Sequence, residues 1–222
     1  MKTMTFEDRR QAGRRLGVAL IRRGYKNENT LVLGIPCGGL VVAEEVAKTL
    51  SSSLDVIVTR KLRAPYQPEL GIGAVVDGDH VILNEELVRS SGASQDYLSR
   101  EIAFQKEEIN RRLRFYRGHH SASEIAGKIV IVVDDGIATG YTFRASLESL
   151  RQSHPDRLVA AAPVASQDSV EMLTAFADEI ICLQTPLSFH AVGAWYQNFD
   201  QVTDEEAAAI LQRYRSNWPI AA

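Results

Sequence analysis

Two adjacent acids and the loop of small residues after them carry the chemistry this sequence is best placed to perform. Asp134-Asp135-Gly136-Ile137-Ala138-Thr139-Gly140-Tyr141-Thr142 follows five apolar β-branched residues, Ile129–Val133. A run that short and uniformly apolar suits a strand buried on both faces. The spacing of Phe143, Leu147 and Leu150 then predicts a helix. A loop at a helix N-terminus offers free backbone N–H groups and a partial positive charge, which suits a phosphate. Gly136 and Gly140 let the backbone come close to a ligand, and the Thr139 and Thr142 hydroxyls add donors. Two carboxylates beside such a site favour a sugar hydroxyl pair, a magnesium ion, or both. The bland alternative is a strand–turn–helix whose acids only cap the helix.

Rival motifs fail on the residues themselves. A P-loop needs a lysine after its second glycine, but Gly140 is followed by Tyr141. The dinucleotide fingerprint Gly-x-Gly-x-x-Gly does not occur. A response-regulator receiver carries its acid pair near the N-terminus of a shorter domain, whereas more than half of this chain precedes Asp134.

Length and composition set the frame. The 222 residues suffice for one α/β domain with an appendage. Hydrophobic residues make up 45% and charged residues 24%, the range of ordinary globular chains. A net charge of −3 disfavours a nucleic-acid partner. No apolar run approaches the roughly 18–20 residues needed to span a bilayer, and the first ten residues hold no apolar signal core. The expected setting is therefore cytoplasmic, without a membrane partner. Cys37 and Cys182 are too few for a disulfide framework and match no metal motif, and Cys182 reads as a buried thiol.

The elements that must position the acids read as follows. Residues 5–23 predict an amphipathic helix, with Phe6, Ala12, Leu16, Ala19 and Leu20 on one face and a loose capping box from Thr5 to Asp8. Residues 30–33 predict a strand, followed by Gly34-Ile35-Pro36-Cys37-Gly38-Gly39 and a helix. This second strand–glycine loop–helix unit is a second anion site. Residues 54–59 predict another strand, ending in Arg60-Lys61, and 62–71 an irregular loop. Residues 72–76 and 80–83 flank Asp77-Gly78-Asp79, a hairpin turn. Ser94 caps a helix to about residue 117, with Glu107–Arg111 and Glu108–Arg112 as i,i+4 pairs. Its length leaves two readings open, a solvated scaffold helix and a subunit contact in a homodimer. His119-His120 reads as exposed loop rather than metal site, having no third ligand nearby.

Strands at 157–164 and 179–183 around a helix at 168–177 complete an α/β alternation. That alternation predicts a parallel sheet with helices on both faces. Ligands on such sheets sit at the carboxyl ends of the strands. Both glycine loops and Arg60-Lys61 are expected there. Residues 185–222 break the rhythm with an aromatic-rich stretch and a helix over 204–215.

The central stretch resembles the phosphoribosyl-pyrophosphate (PRPP) motif of type I phosphoribosyltransferases: four apolar residues, two acids, and a loop ending in Thr-Gly-x-Thr. The likeness runs from about residue 30 to 183 and is most specific at that motif. Overall it is to the uncharacterised predicted phosphoribosyltransferases of bacteria. It implies a single domain over 1–222, with a type I phosphoribosyltransferase core over about 25–184. A small C-terminal hood over about 185–222, joined by the N-terminal helix, would cover an acceptor base.

By the same resemblance, Asp134 and Asp135 are the catalytic acids. They face the ribose hydroxyls and hold Mg²⁺, directly or through water. Gly136, Ile137, Ala138, Thr139, Gly140, Tyr141 and Thr142 cradle the 5-phosphate. Cys37, Gly38 and Gly39 form the pyrophosphate loop, with Arg60 and Lys61 adding charge. In those bacterial relatives the residue before the glycine pair is commonly basic, so Cys37 removes a cation. The segment after the second core strand is implied to be a mobile hairpin that closes on substrate.

Phe189 and Trp195 of the hood are candidates to stack on the base, or else simply pack the hood onto the core. In hypoxanthine–guanine enzymes a carboxylate precedes the Thr of Thr-Gly-x-Thr. Here Ala138 stands there, a position that adenine enzymes also leave to Ala, so His190 or Glu69 are the remaining proton-transfer candidates. The implied activity is transfer of 5-phosphoribosyl from PRPP to a nitrogen acceptor with release of pyrophosphate. The alternative is a non-catalytic PRPP or nucleotide sensor, and no DNA-binding segment favours a transcriptional one.

Overall fold

The structure is a computed structural model that describes residues 5–26, 29–77 and 80–217. Gly78 and Asp79 of the expected turn, and the chain ends, lie outside these residues. Five parallel strands form the main sheet in the order β2-β1-β6-β7-β8. They are β1 (Thr30–Gly34), β2 (Ser53–Val56), β6 (Ile129–Val133), β7 (Arg157–Val164) and β8 (Glu179–Gln184). The central strand β6 carries the acid pair, and its neighbour β1 carries the glycine loop.

Successive strand residues supply opposite cores, as the two-residue period requires. Ile131 and Val133 of β6 join Val32 and Leu54 beneath α1 (Arg9–Arg22) and α2 (Gly38–Leu50). Val130 and Val132 join Leu31 and Leu33 against Phe143, Leu147 and Leu150 of α5 (Tyr141–Arg151). Helices thus cover both faces, as the alternation predicts.

A second sheet, β3-β4-β5, is antiparallel: β3 (Thr59–Ala64), β4 (Gln67–Val76) and β5 (His80–Leu83). It changes two expectations. The strand read over 54–59 is β2 ending at Val56, so Arg60-Lys61 do not lie at the end of a core strand. The apolar run hides the break because Ile57 and Val58 are buried in the crossing between the sheets. Ile57 N still donates to Gly34 O, and Val58 O already accepts from Asp77 N. Residues 62–71 are not an irregular loop but most of the β3–β4 hairpin. Its turn passes through Tyr66 at φ 64°, and its register shifts near Arg63 and Ala64. Pro68 falls in that irregular stretch, where a missing N–H breaks no ladder bond.

The short helix α3 (Glu85–Ser90) was not anticipated; Asn84 caps it. The long helix is α4 (Gln95–Arg117), capped by Ser94 as expected. Its charge pairs differ from the i,i+4 expectation: Glu108 pairs with Arg111, while Arg112 reaches toward Asp204 at 3.9 Å. The helix α6 (Gln167–Leu173) is shorter than the expected 168–177.

Helix α1 starts at Arg9 rather than Thr5, because Asp8 is the cap and accepts from Gln11 N at 2.7 Å. Phe6 is thereby released to bridge Tyr196, with Phe6 N donating to Trp195 O and Gln197 N to Phe6 O, both 2.8 Å. The segments around Phe6 and Tyr196 therefore meet over the sheet, where Phe6, Ala12, Val164, Trp195 and Tyr196 form a third core. The tail then divides. Residues 188–199 stay with that core, while α7 (Asp204–Asn217) crosses to α2, α4 and β2. Buried Asp55 anchors this crossing, accepting from Arg117 of α4 at 3.1 Å and Arg215 of α7 at 3.0 Å. Among the described residues no helix is long and apolar enough to cross a membrane.

Candidate functional site

The acid pair and the first glycine loop meet at the carboxyl ends of β6 and β1. A Cβ on Gly38 would lie 2.1 Å from Asp135 Oδ2, and one on Gly39 would lie 2.7 Å from Asp134 Oδ1. Only glycine allows so close an approach of the Gly38–Gly39 loop to the acids. The Pro36–Cys37 peptide that leads into the loop is cis.

The two acids are unequally placed. Asp135 Oδ2 accepts from Arg9 Nε at 2.7 Å, with both side chains largely buried. Asp134 Oδ1 accepts from the Asp135 backbone N–H at 2.8 Å. Burial, and then the neighbouring Asp135 charge, push the Asp134 carboxyl well above the usual carboxylate range. Tyr196 OH donates to the Asp135 carbonyl at 2.5 Å, tying the hood segment to the acid pair.

The loop after the acids is braced from below and open above. Ile137 N donates to Val164 O and Ser166 N to Ile137 O, both at 2.9 Å. Ala138 O accepts from Ser166 Oγ at 2.8 Å and Ser169 Oγ at 2.6 Å. Gly136 lies under Val192, whose Cγ1 would be 2.4 Å from an added Cβ. Gly140, at φ 73°, precedes α5 without any side-chain cap. The first helical bond is Arg144 N to Gly140 O, so the N–H groups of Tyr141, Thr142 and Phe143 lie ahead of the ladder. Thr139, Tyr141 and Thr142 are exposed around them. Uncapped amides ringed by hydroxyls are what an oxyanion binds.

The remaining expected residues are distributed differently. Cys37 Sγ donates to Asp204 Oδ1 at 3.2 Å, and Tyr116 OH donates to the same oxygen. Burial and that carboxylate push the Cys37 thiol up, while the Tyr116 hydroxyl bond holds Asp204 low. Arg60 Nε donates to the buried Gln105 of α4 at 3.0 Å. Burial, and the charges of Arg112 and Arg63, lower the Arg60 value. Lys61 alternates to the other face of β3 and donates to Glu69 O at 2.8 Å. Trp195 is 8% exposed within the third core, with Phe189 packed against it. Its ring joins the hood to the sheet, the packing alternative of the two readings open for it, while Phe189 is only half-buried. His190 and Glu69 are exposed, His190 beside Ser188 Oγ at 3.1 Å.

Sequence reasoning missed Arg9 and Asp204. Arg9 has no local signature: its neighbours Arg10 and Arg14 are of the same type and pair with Glu44 and Glu45 of α2. Among the described residues no group of three His, Cys, Asp or Glu side chains converges to hold a metal. A cavity of ≈ 480 Å³ lined by His80, Ile82, Ser149, Gln152 and Phe176 lies between β5, α5 and the turn after α6, apart from the acid pair.

The parallel sheet with these two facing loops is the fold of the type I phosphoribosyltransferases. Residues 7–196 match the family model described as phosphoribosyl transferase domain, and the chain belongs to that family. It is similar to TT1426 of Thermus thermophilus, known from a crystal structure, at 44% identity and a TM-score of 0.83. That match covers 95% of this chain and 99% of the other. It is also 41% identical over 211 residues to Rv0571c of Mycobacterium tuberculosis (strain H37Rv), whose name assigns it provisionally as a phosphoribosyl transferase. MT0597 of strain CDC 1551 matches equally. The match covers 94% of this chain but 46% of each mycobacterial protein, so the chain spans about half the length of these curated relatives.

Proposed function

We propose that this chain transfers a 5-phosphoribosyl group from PRPP to a nitrogen acceptor and releases pyrophosphate, in a cytoplasmic setting. The observation that carries the reading is the close approach of Gly38 and Gly39 to Asp135 and Asp134 beside the uncapped start of α5. The 5-phosphate would sit on the amides of Tyr141–Phe143, with the Thr139 and Thr142 hydroxyls. The acid pair would take the ribose hydroxyls, and the Gly38–Gly39 amides the pyrophosphate.

Mg²⁺ fits this site as a ligand held jointly with substrate. The residues offer two carboxylates rather than a full cage, which is how Mg²⁺ is commonly held beside phosphates. Burial and the neighbouring Asp135 charge disfavour ionisation of Asp134, and a bound cation would offset that penalty. Bound there, Mg²⁺ would neutralise charge on the leaving pyrophosphate.

In the reaction the C1–O bond to pyrophosphate breaks with its electron pair leaving on oxygen, and the C1–N bond forms. The transition state resembles an oxocarbenium ion, which nearby carboxylates stabilise. The acceptor's proton must leave to a group other than residue 138, since Ala138 offers none. Incubation with PRPP, Mg²⁺ and a panel of purine, pyrimidine and amine acceptors, read by pyrophosphate release, tests the assignment. Turnover with one acceptor supports it, and release no faster than in Asp134→Asn would defeat it.

A second reading is a PRPP or nucleotide sensor. Asp204 favours it, because its carboxylate is bonded to Cys37 in the loop where a leaving pyrophosphate would lie. Saturable PRPP binding without release across the whole panel would select the sensor.

A further inference from the structure

The pyrophosphate loop has a thiol where a cation would be useful, yet a cation reaches the loop from elsewhere. Arg9, the first residue of α1, is 126 residues from the acid it contacts. Its Nε lies 2.7 Å from Asp135 Oδ2, and 2.8 Å from where a Cβ on Gly38 would stand. Its Nη1 donates to Asp200 O at 2.7 Å, and the Phe199 ring covers the guanidinium at 3.8 Å. Asp135 and Asp200 take two of the five N–H donors of that guanidinium. Its side chain is 11% exposed, so its place is set by the hood on one side and the acid pair on the other.

We infer that Arg9 belongs to the ligand site: its guanidinium supplies the charge absent at position 37 and holds Asp135 by an ion pair, which narrows the acid pair's contact with the ribose to Asp134. This rests on the site reading given above. A guanidinium beside both a carboxylate and the proposed pyrophosphate loop can serve both, because a charge-assisted bond to a phosphate is shorter and stronger than a neutral one. The N-terminal helix is then a functional part of the site as well as a packing element. Asp135 acts by holding Arg9 in place.

The test is calorimetric titration of the full chain with two ligands in the presence of Mg²⁺: PRPP, and ribose 5-phosphate, which lacks the pyrophosphate. Arg9→Gln keeps a donor toward Asp135 and removes the charge, while Arg9→Lys keeps the charge. Arg9→Gln should weaken PRPP roughly tenfold or more, the size of a lost charged hydrogen bond. It should change ribose 5-phosphate by less than about threefold, and Arg9→Lys should recover most of the loss. If Arg9→Gln alone does not fold, Arg9→Gln with Asp135→Asn removes both charges, and the same PRPP-selective loss is expected. Equal losses on both ligands, no loss on either, or Arg9→Lys as weak as Arg9→Gln overturns the inference. A parent protein that binds neither ligand overturns the site reading instead.

Discussion

Replacing the two acids one at a time should move stability in opposite directions. Asp135→Ala strips Arg9 of its partner at 2.7 Å, where the side chains are 11% and 15% exposed. Breaking a buried ion pair by removing one partner costs about 3–5 kcal/mol, and the residual exposure argues for the lower end, about 3 kcal/mol. At roughly 2–4 °C per kcal/mol for a domain of this size, Tm should fall by about 6–12 °C. Asp134→Asn does the reverse. The amide oxygen still accepts from Asp135 N–H, while the buried charge that opposes Asp135 is gone.

The pH dependence follows from the sign of the Asp134 shift. An acid whose folded value is raised holds its proton more tightly folded than unfolded. The wild type is therefore free of this penalty below the unfolded carboxylate range, and loses stability as pH rises through the raised folded value. The advantage of Asp134→Asn should be small near about pH 4 and grow toward pH 8. Calorimetric melting of the three proteins across that range reads it directly. Both variants shifting the same way, or Asp135→Ala within about 0.5 kcal/mol of wild type, would refute the unequal pair.

Other consequences are shorter to state. Thr139→Val keeps shape and loses a hydroxyl, so nucleoside-monophosphate or PRPP binding should weaken by about 1–3 kcal/mol in a calorimetric titration. Trp195→Ala should destabilise the fold by about 3–5 kcal/mol in denaturant unfolding, without changing which acceptor is used. Burial pushes the Cys182 thiol up to about 12 and raises Cys37, so alkylation at pH 8 should be slow in the folded protein and fast in denaturant, by mass spectrometry. With Ala138 in the loop, a purine panel should show no hypoxanthine or guanine turnover that survives His190→Ala and Glu69→Gln unchanged.

What the sequence made legible was local. The apolar run of β6, the acids at its end and the glycine loops after β1 and β6 are each encoded within a dozen residues, and each forms where its pattern says. The break after Val56 was illegible because Ile57 and Val58 stay buried while the chain changes sheets, so no polar residue marks the crossing. Arg9 was illegible for a different reason. Its role depends on a partner in a distant strand–helix turn, and Arg10 beside it has the same type with a structural job. Trp195 shows another limit: the sequence left base stacking and packing onto the core both open, and only the fold shows the partners it packs with, Phe6 and Val164.

The most direct test of the central claim is a crystal structure of the protein with PRPP and Mg²⁺. The account predicts the 5-phosphate on the amides of Tyr141–Phe143, the ribose at Asp134, and the pyrophosphate against Gly38 and Gly39. PRPP bound elsewhere, for instance in the cavity between His80 and Phe176, would contradict it.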